Sequence, residues 1–105
     1  MAGPLVMTVT ESRIDHETAA GFQDDLLAVV GDGSETVIID LASVESISSV
    51  GLRALVVAAK KSKPAGGTIA VSGLRPLVRE VFKITRFDSL FPTFDTVDAA
   101  RAALS

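Results

Sequence analysis

Ser48 and Ser49 stand directly before Val50-Gly51-Leu52-Arg53, and a hydroxyl in such a place has three chemical uses. It can accept a bond from a free backbone N–H in the first turn of a helix, an interaction worth on the order of 1 kcal/mol. It can take up a phosphate, which adds about −1.5 to −2 charges. Or it can act as a nucleophile, if a base and a group that orients the base come within reach. Asp15 and His16 are the pair that would have to serve that third use. The pattern argues against it, because the Gly-x-Ser-x-Gly elbow is absent and the one histidine is the direct neighbour of Asp15. His16 reads instead as a loop or first-turn residue.

Other chemistry is thinly provided. With no cysteine and a single histidine, a transition-metal site would need a cluster of carboxylates that the sequence does not display, so no metal is expected. Asp40, at the end of an apolar run, could accept a phosphate as in a response-regulator receiver, with Lys63-Pro64 as a companion. Receivers also need a pair of acidic residues after the first strand, and their Lys-Pro follows a late strand, whereas Lys63-Pro64 closes a helical pattern. Asp40 is better read as a strand-ending turn residue. Gly31-Asp32-Gly33 and Gly66-Gly67 lack the Lys-Ser/Thr of a phosphate loop and read as helix stops and turns, so no nucleotide cofactor is expected. Lys60-Lys61-Ser62-Lys63 reads as a solvated helix end.

The elements that must position these residues belong to a chain of 105 residues with 48% hydrophobic and 22% charged content, which suits one domain that folds alone. A net charge of −3 leaves no excess of positive charge for a nucleic-acid backbone. The longest helix-like apolar stretch, Val50 to Ala59, is interrupted by Arg53 and is far short of the roughly 20 residues that a bilayer crossing takes, so no membrane partner is expected. Met1 to Arg13 does not read as a signal peptide, and the lack of cysteine fits the reducing cytoplasm.

Leu5 to Thr10 is rich in branched residues and roughly alternates, which predicts a strand running on toward Ile14. Ala19, Phe22, Leu26 and Val29 or Val30 mark a helix from Glu17 to Val30. Val37-Ile38-Ile39 is an uninterrupted apolar run and predicts a central parallel strand covered on both faces. Ala42 to Ser48 is turn-like, and Leu52, Leu55, Val56 and Ala59 form the stripe of a second helix. Ile69 to Ser72 is a short strand. Pro76 suits the first turn of a third helix with Leu77, Val81 and Ile84 inward. Phe91 to Phe94 reads as a last edge strand, and Asp95 followed by Asp98 reads as the cap of a final helix that buries Val97, Ala100 and Leu104. Alternating strands and helices predict an α/β fold with a mostly parallel sheet.

Five segments in this order carry a family resemblance: Arg13-Ile14-Asp15-His16-Glu17-Thr18-Ala19, Val37-Ile38-Ile39-Asp40-Leu41, Ile47-Ser48-Ser49-Val50-Gly51-Leu52, Gly66-Gly67, and Phe87-Asp88-Ser89-Leu90-Phe91. Together they closely resemble the STAS domain of bacterial anti-sigma factor antagonists, over nearly the whole chain. In that family the residues before the helix commonly read Asp-Ser-Ser-Gly or Asp-Ser-Thr-Gly. The first serine after the aspartate is phosphorylated by the anti-sigma factor, itself a serine kinase. Alignment on Gly51 makes that serine Ser49, with Ser48 in the aspartate's place and Val50 after the phosphorylated residue. The strand-ending Gly-Arg/Glu-Leu-Asp of the family appears as Ser12-Arg13-Ile14-Asp15.

The resemblance implies a single STAS domain over residues 1–105, with a mostly parallel sheet of four to five strands and about four helices packed on it. It implies no enzyme activity but a partner switch: the unphosphorylated antagonist binds an anti-sigma factor serine kinase and frees a sigma factor, and a serine phosphatase resets it. The expected contact surface is Ser48, Ser49, Val50, Leu52 and Arg53, flanked by Asp15 and His16. The alternative is a STAS accessory module that regulates a larger complex, such as a lipid-transport ATPase, without phosphorylation.

Overall fold

The computed structural model describes residues 3–104. In chain order these form β1 (Leu5–Thr8), β2 (Arg13–Ile14), α1 (Ala19–Val30), β3 (Thr36–Asp40), β4 (Ser46–Ile47), α2 (Ser49–Ser62), β5 (Thr68–Ser72), α3 (Pro76–Ile84), α4 (Phe87–Leu90), β6 (Thr93–Phe94) and α5 (Val97–Leu104). β1, β3, β5 and β6 make one sheet in the order β1-β3-β5-β6, all parallel, with Val37 opposite both Leu5 and Ile69. Parallel neighbours require crossovers, and α1 and α2 supply two of them, packed side by side.

Val37, Ile38 and Ile39 are all buried, as the uninterrupted run demands. Alternation along the strand puts Val37 and Ile39 in the main core with Phe22 and Leu26 of α1 and Leu55 and Ala58 of α2. Ile38 and Ala70 turn to the opposite face, which α5 covers through Ala100. Small side chains at Ala70 and Ala100 let that helix lie close to the sheet. Removing each large apolar side chain from water contributes about 1.5–3 kcal/mol.

Several elements differ from the expectation. The first strand does not run on to Ile14: after the Val9 N–H bonds the Asp40 carbonyl at 3.1 Å, the chain leaves the sheet. Arg13 and Ile14 then pair in parallel with Ser46 and Ile47, inside the stretch that reads as a turn, to make a separate two-stranded ribbon. α1 begins at Ala19, because residues before it form a turn around Asp15. α3 buries Val78 and Phe82, and not the expected Leu77 and Ile84, which are exposed, while Val81 is half-buried. The reason is that Leu74, Val78 and Phe82 make a second stripe at the same spacing, and the bulky phenyl ring wins the core place beside Phe87 and Phe91. Phe91 is a core residue before β6 and α4 precedes it, so the last strand is shorter than Phe91 to Phe94. Finally, the cap of α5 is Thr96 and not Asp95, since Thr96 Oγ1 accepts the Ala99 N–H at 3.0 Å, and of the three expected residues only Ala100 is fully buried, with Val97 and Leu104 half-buried.

Candidate functional site

Since the four sheet strands run the same way, the segments after Thr8, Asp40 and Ser72 gather at one end of the sheet. The ribbon of β2 and β4 sits there and joins two loops that are distant in sequence. The Ser12 carbonyl accepts the Glu45 N–H at 2.7 Å, and the Ile14 carbonyl accepts the Ser48 N–H at 2.8 Å. Asp15 and His16, which follow Ile14, are thereby held beside the start of α2, which follows Ser48.

Ser48 is the extended residue before α2, and its carbonyl accepts the Leu52 N–H at 3.0 Å. Its hydroxyl makes no capping bond: Oγ is buried and has no hydrogen-bond partner among the described residues. Ser49 is the first residue of the helix and is exposed. The two serines therefore divide, with Ser48 turned in and Ser49 turned out. Val50 is 43% exposed, a large apolar side chain in water next to Ser49. Arg53 is exposed, four residues after Ser49 and so on the same helix face. Leu52, expected in the contact surface, is buried in the core and offers it little area.

Asp15 is half-buried and holds its own turn together. Its Oδ1 accepts the N–H groups of Glu17 at 3.0 Å and Thr18 at 3.3 Å, while its N–H donates to Thr18 Oγ1 at 3.0 Å. The Glu17 N–H holds its carboxyl below the ordinary carboxylate range, with a smaller contribution from the Thr18 N–H and burial acting the other way. His16 is exposed, with Nε2 at 4.0 Å from the Glu17 carboxylate. Nothing in this set resembles a base held against a nucleophile.

The remaining sequence candidates have structural employment. Asp40 Oδ1 accepts the Ala42 N–H at 3.0 Å, the turn role expected of it. Gly31 and Gly33 both have positive φ, and Gly33 lies against the end of α2, where the buried Ser62 Oγ donates to its carbonyl at 3.2 Å. Among the described residues no group of three or more His, Cys, Asp or Glu residues is placed to hold a metal.

The sequence reading missed one surface. α3 packs on β4, which leads into α2, and Arg75 Nε donates to the Ala42 carbonyl at 2.8 Å in the loop before β4. Leu77, in the first turn of α3, is 59% exposed and Ile84 is 73% exposed. With Val50 at the start of α2, they are three large apolar side chains left in water. Exposed apolar residues grouped among charges mark interaction surfaces. The signal was present in the sequence as apolar residues on two faces of one helix.

A STAS domain family profile matches residues 2–100. A protein of Bordetella bronchiseptica named as an anti-sigma factor antagonist, BtrV, is 33% identical over 99 residues, which cover 94% of this chain and 85% of that one. The crystal structure of an anti-sigma factor antagonist from Mycobacterium paratuberculosis superposes with a TM-score of 0.82 at 34% identity, over 94% of this chain and 83% of that one. An anti-sigma factor antagonist (STAS) domain protein from Planctomyces limnophilus also reaches a TM-score of 0.82, at 27% identity, over 90% of this chain and 81% of its own. These relatives carry the names of regulators and not of enzymes. The exposed serine opening α2 thus lies in a chain that belongs to the STAS domain family.

Proposed function

We propose that this protein is a cytoplasmic anti-sigma factor antagonist that works as a phosphorylation-controlled partner switch. It binds an anti-sigma factor serine kinase while Ser49 carries a free hydroxyl, that kinase phosphorylates Ser49, and a serine phosphatase resets it. The observation that carries this reading is the exposure of Ser49 at the first residue of α2, beside the exposed Val50 and Arg53. The names of the relatives support the antagonist role.

A phosphate on Ser49 meets the free N–H groups and the positive end of α2, which accommodate it within the domain. A partner that covers Val50, Leu77 and Ile84 has to desolvate that dianion. Where its own surface is acidic, like-charge contact costs it several kcal/mol, enough to abolish binding. Arg53, on the same helix face as Ser49, favours such an acidic partner before phosphorylation. Asp15 takes part by holding the flanking loop in place, since its carboxylate is occupied by the turn.

The test is incubation with the candidate kinase and ATP, followed by mapping of phosphate by mass spectrometry. Modification at Ser49 is expected. A protein that binds the kinase but remains unmodified would overturn the switch and favour a STAS accessory module.

A further inference from the structure

We propose that a groove at the end of α2 remote from Ser49 is a binding site for a free straight-chain fatty carboxylate. The groove has a volume of about 370 Å³ and lies between the last turns of α2, the start of β5 and the connection from α4 to β6. That size is at the lower end of small-molecule sites and too small for a folded partner. Ile69 and Phe91 form a buried apolar floor, and Val56 and Ala59 are half-buried walls. Leu90 stands at the lip, 61% exposed, and would be covered by an occupant.

The charges at this groove have one sign. Lys60 and Lys63 line it, no carboxylate does, and neither lysine is in an ion pair among the described residues. Ser62 also borders the groove, but its hydroxyl is committed to the Gly33 carbonyl. The Lys60-Lys61-Ser62-Lys63 segment is therefore more than a solvated helix end: two of its lysines rim an apolar trough. An apolar trough with lysines free of carboxylate partners at its margin suits a ligand that is apolar along its length and anionic at one end. Burial of each further methylene tightens such a ligand up to about fourfold until the groove is full.

The site is independent of the partner switch, and the test needs no partner. Amide chemical shifts of the whole chain are followed during titration with octanoate, decanoate and decanol below their micellar or aggregation limits. The expected result is saturable shifts centred on Thr68, Ile69 and Leu90, with decanoate binding tighter than octanoate. Reversing both rim charges, Lys60→Glu with Lys63→Glu, weakens decanoate about tenfold and leaves decanol unchanged. Ala59→Trp, which fills the trough, removes both ligands. Both lysines are exposed, so the charge reversal keeps the fold even if the tryptophan variant does not. Four results would overturn the proposal: no saturable shift, shifts centred on Val50, Leu77 and Ile84, decanoate binding indifferent to charge reversal, or binding to anionic vesicles without binding to submicellar decanoate.

Discussion

Gly51 leaves no room for a side chain against Ile14: a Cβ at that position would lie 2.7 Å from Ile14 Cγ2, and 2.8 Å from Ile47 Cγ1. The first turn of α2 is thus pressed directly onto the ribbon of β2 and β4. Alanine in a helix interior is ordinarily favoured over glycine by about 1 kcal/mol. Here the crowding of two branched side chains outweighs that preference, since overpacking costs about 1–3 kcal/mol. Gly51→Ala is expected to lower stability in urea denaturation by about 1 kcal/mol net. A variant as stable as the parent would mean that the ribbon yields easily.

Ser49 is exposed at a helix start, so its replacements separate binding from folding. Ser49→Asp places a negative charge at the positive end of α2 and should leave stability unchanged or raise it by about 0.3–1 kcal/mol. Its affinity for the anti-sigma factor should fall by about tenfold or more, as the like-charge cost requires. Ser49→Ala should bind as the parent does and escape phosphorylation. Calorimetric titration of the three proteins against one partner reads the affinities, urea denaturation reads the stabilities and mass spectrometry the phosphate, and equal affinities for Ser49→Asp and the parent would defeat the electrostatic account.

Asp15 predicts an acid-side dependence of stability. Its carboxyl titrates lower in the fold than in the unfolded chain, chiefly because the Glu17 N–H bonds the charged form. The contribution is therefore fully present above the unfolded value of about 3.9 and is lost as pH falls through the folded value. Asp32 acts in the same direction through the Ser34 hydroxyl, so the effect of Asp15 is read by difference. The melting temperature of Asp15→Asn should fall less steeply than that of the parent as pH drops below about 4. Parallel curves would remove Asp15 from the explanation.

The two faces of α3 predict opposite phenotypes. Phe82→Ala should cost about 3–5 kcal/mol, because the ring is buried with Phe87 and Phe91. Leu77→Ser and Ile84→Ser, on the exposed face, should change stability by no more than about 0.5 kcal/mol. Both should weaken the anti-sigma factor complex. Thermal melts paired with binding measurements check this, and stable variants with undiminished binding would exclude α3 from the contact surface.

Local pattern made much of this protein legible. The apolar run Val37-Ile38-Ile39, short, branched and bounded by turn residues, suits a strand covered on both faces, and all three are buried. The spacing of Phe22, Leu26, Leu52 and Leu55 follows the helical period, and those residues do line the core. The main strands and helices and the place of Ser49 at the start of α2 were readable because each depends on residues within a few positions of one another.

What only the tertiary structure decided rests on contacts between distant segments. Arg13-Ile14 and Ser46-Ile47 are each too short to announce a strand, and their pairing exists because the loops after β1 and β3 meet at one end of the sheet. The inward face of α3 was ambiguous from the sequence, because both stripes have helical spacing and only the shape of the remaining cavity selects Val78 and Phe82. Competition for the same core space left Leu77 and Ile84 in water. The division between Ser48 and Ser49 has the same origin. Their chemistry is identical, and the Ile14 carbonyl, by holding the Ser48 backbone, turns one hydroxyl inward and leaves the other to solvent.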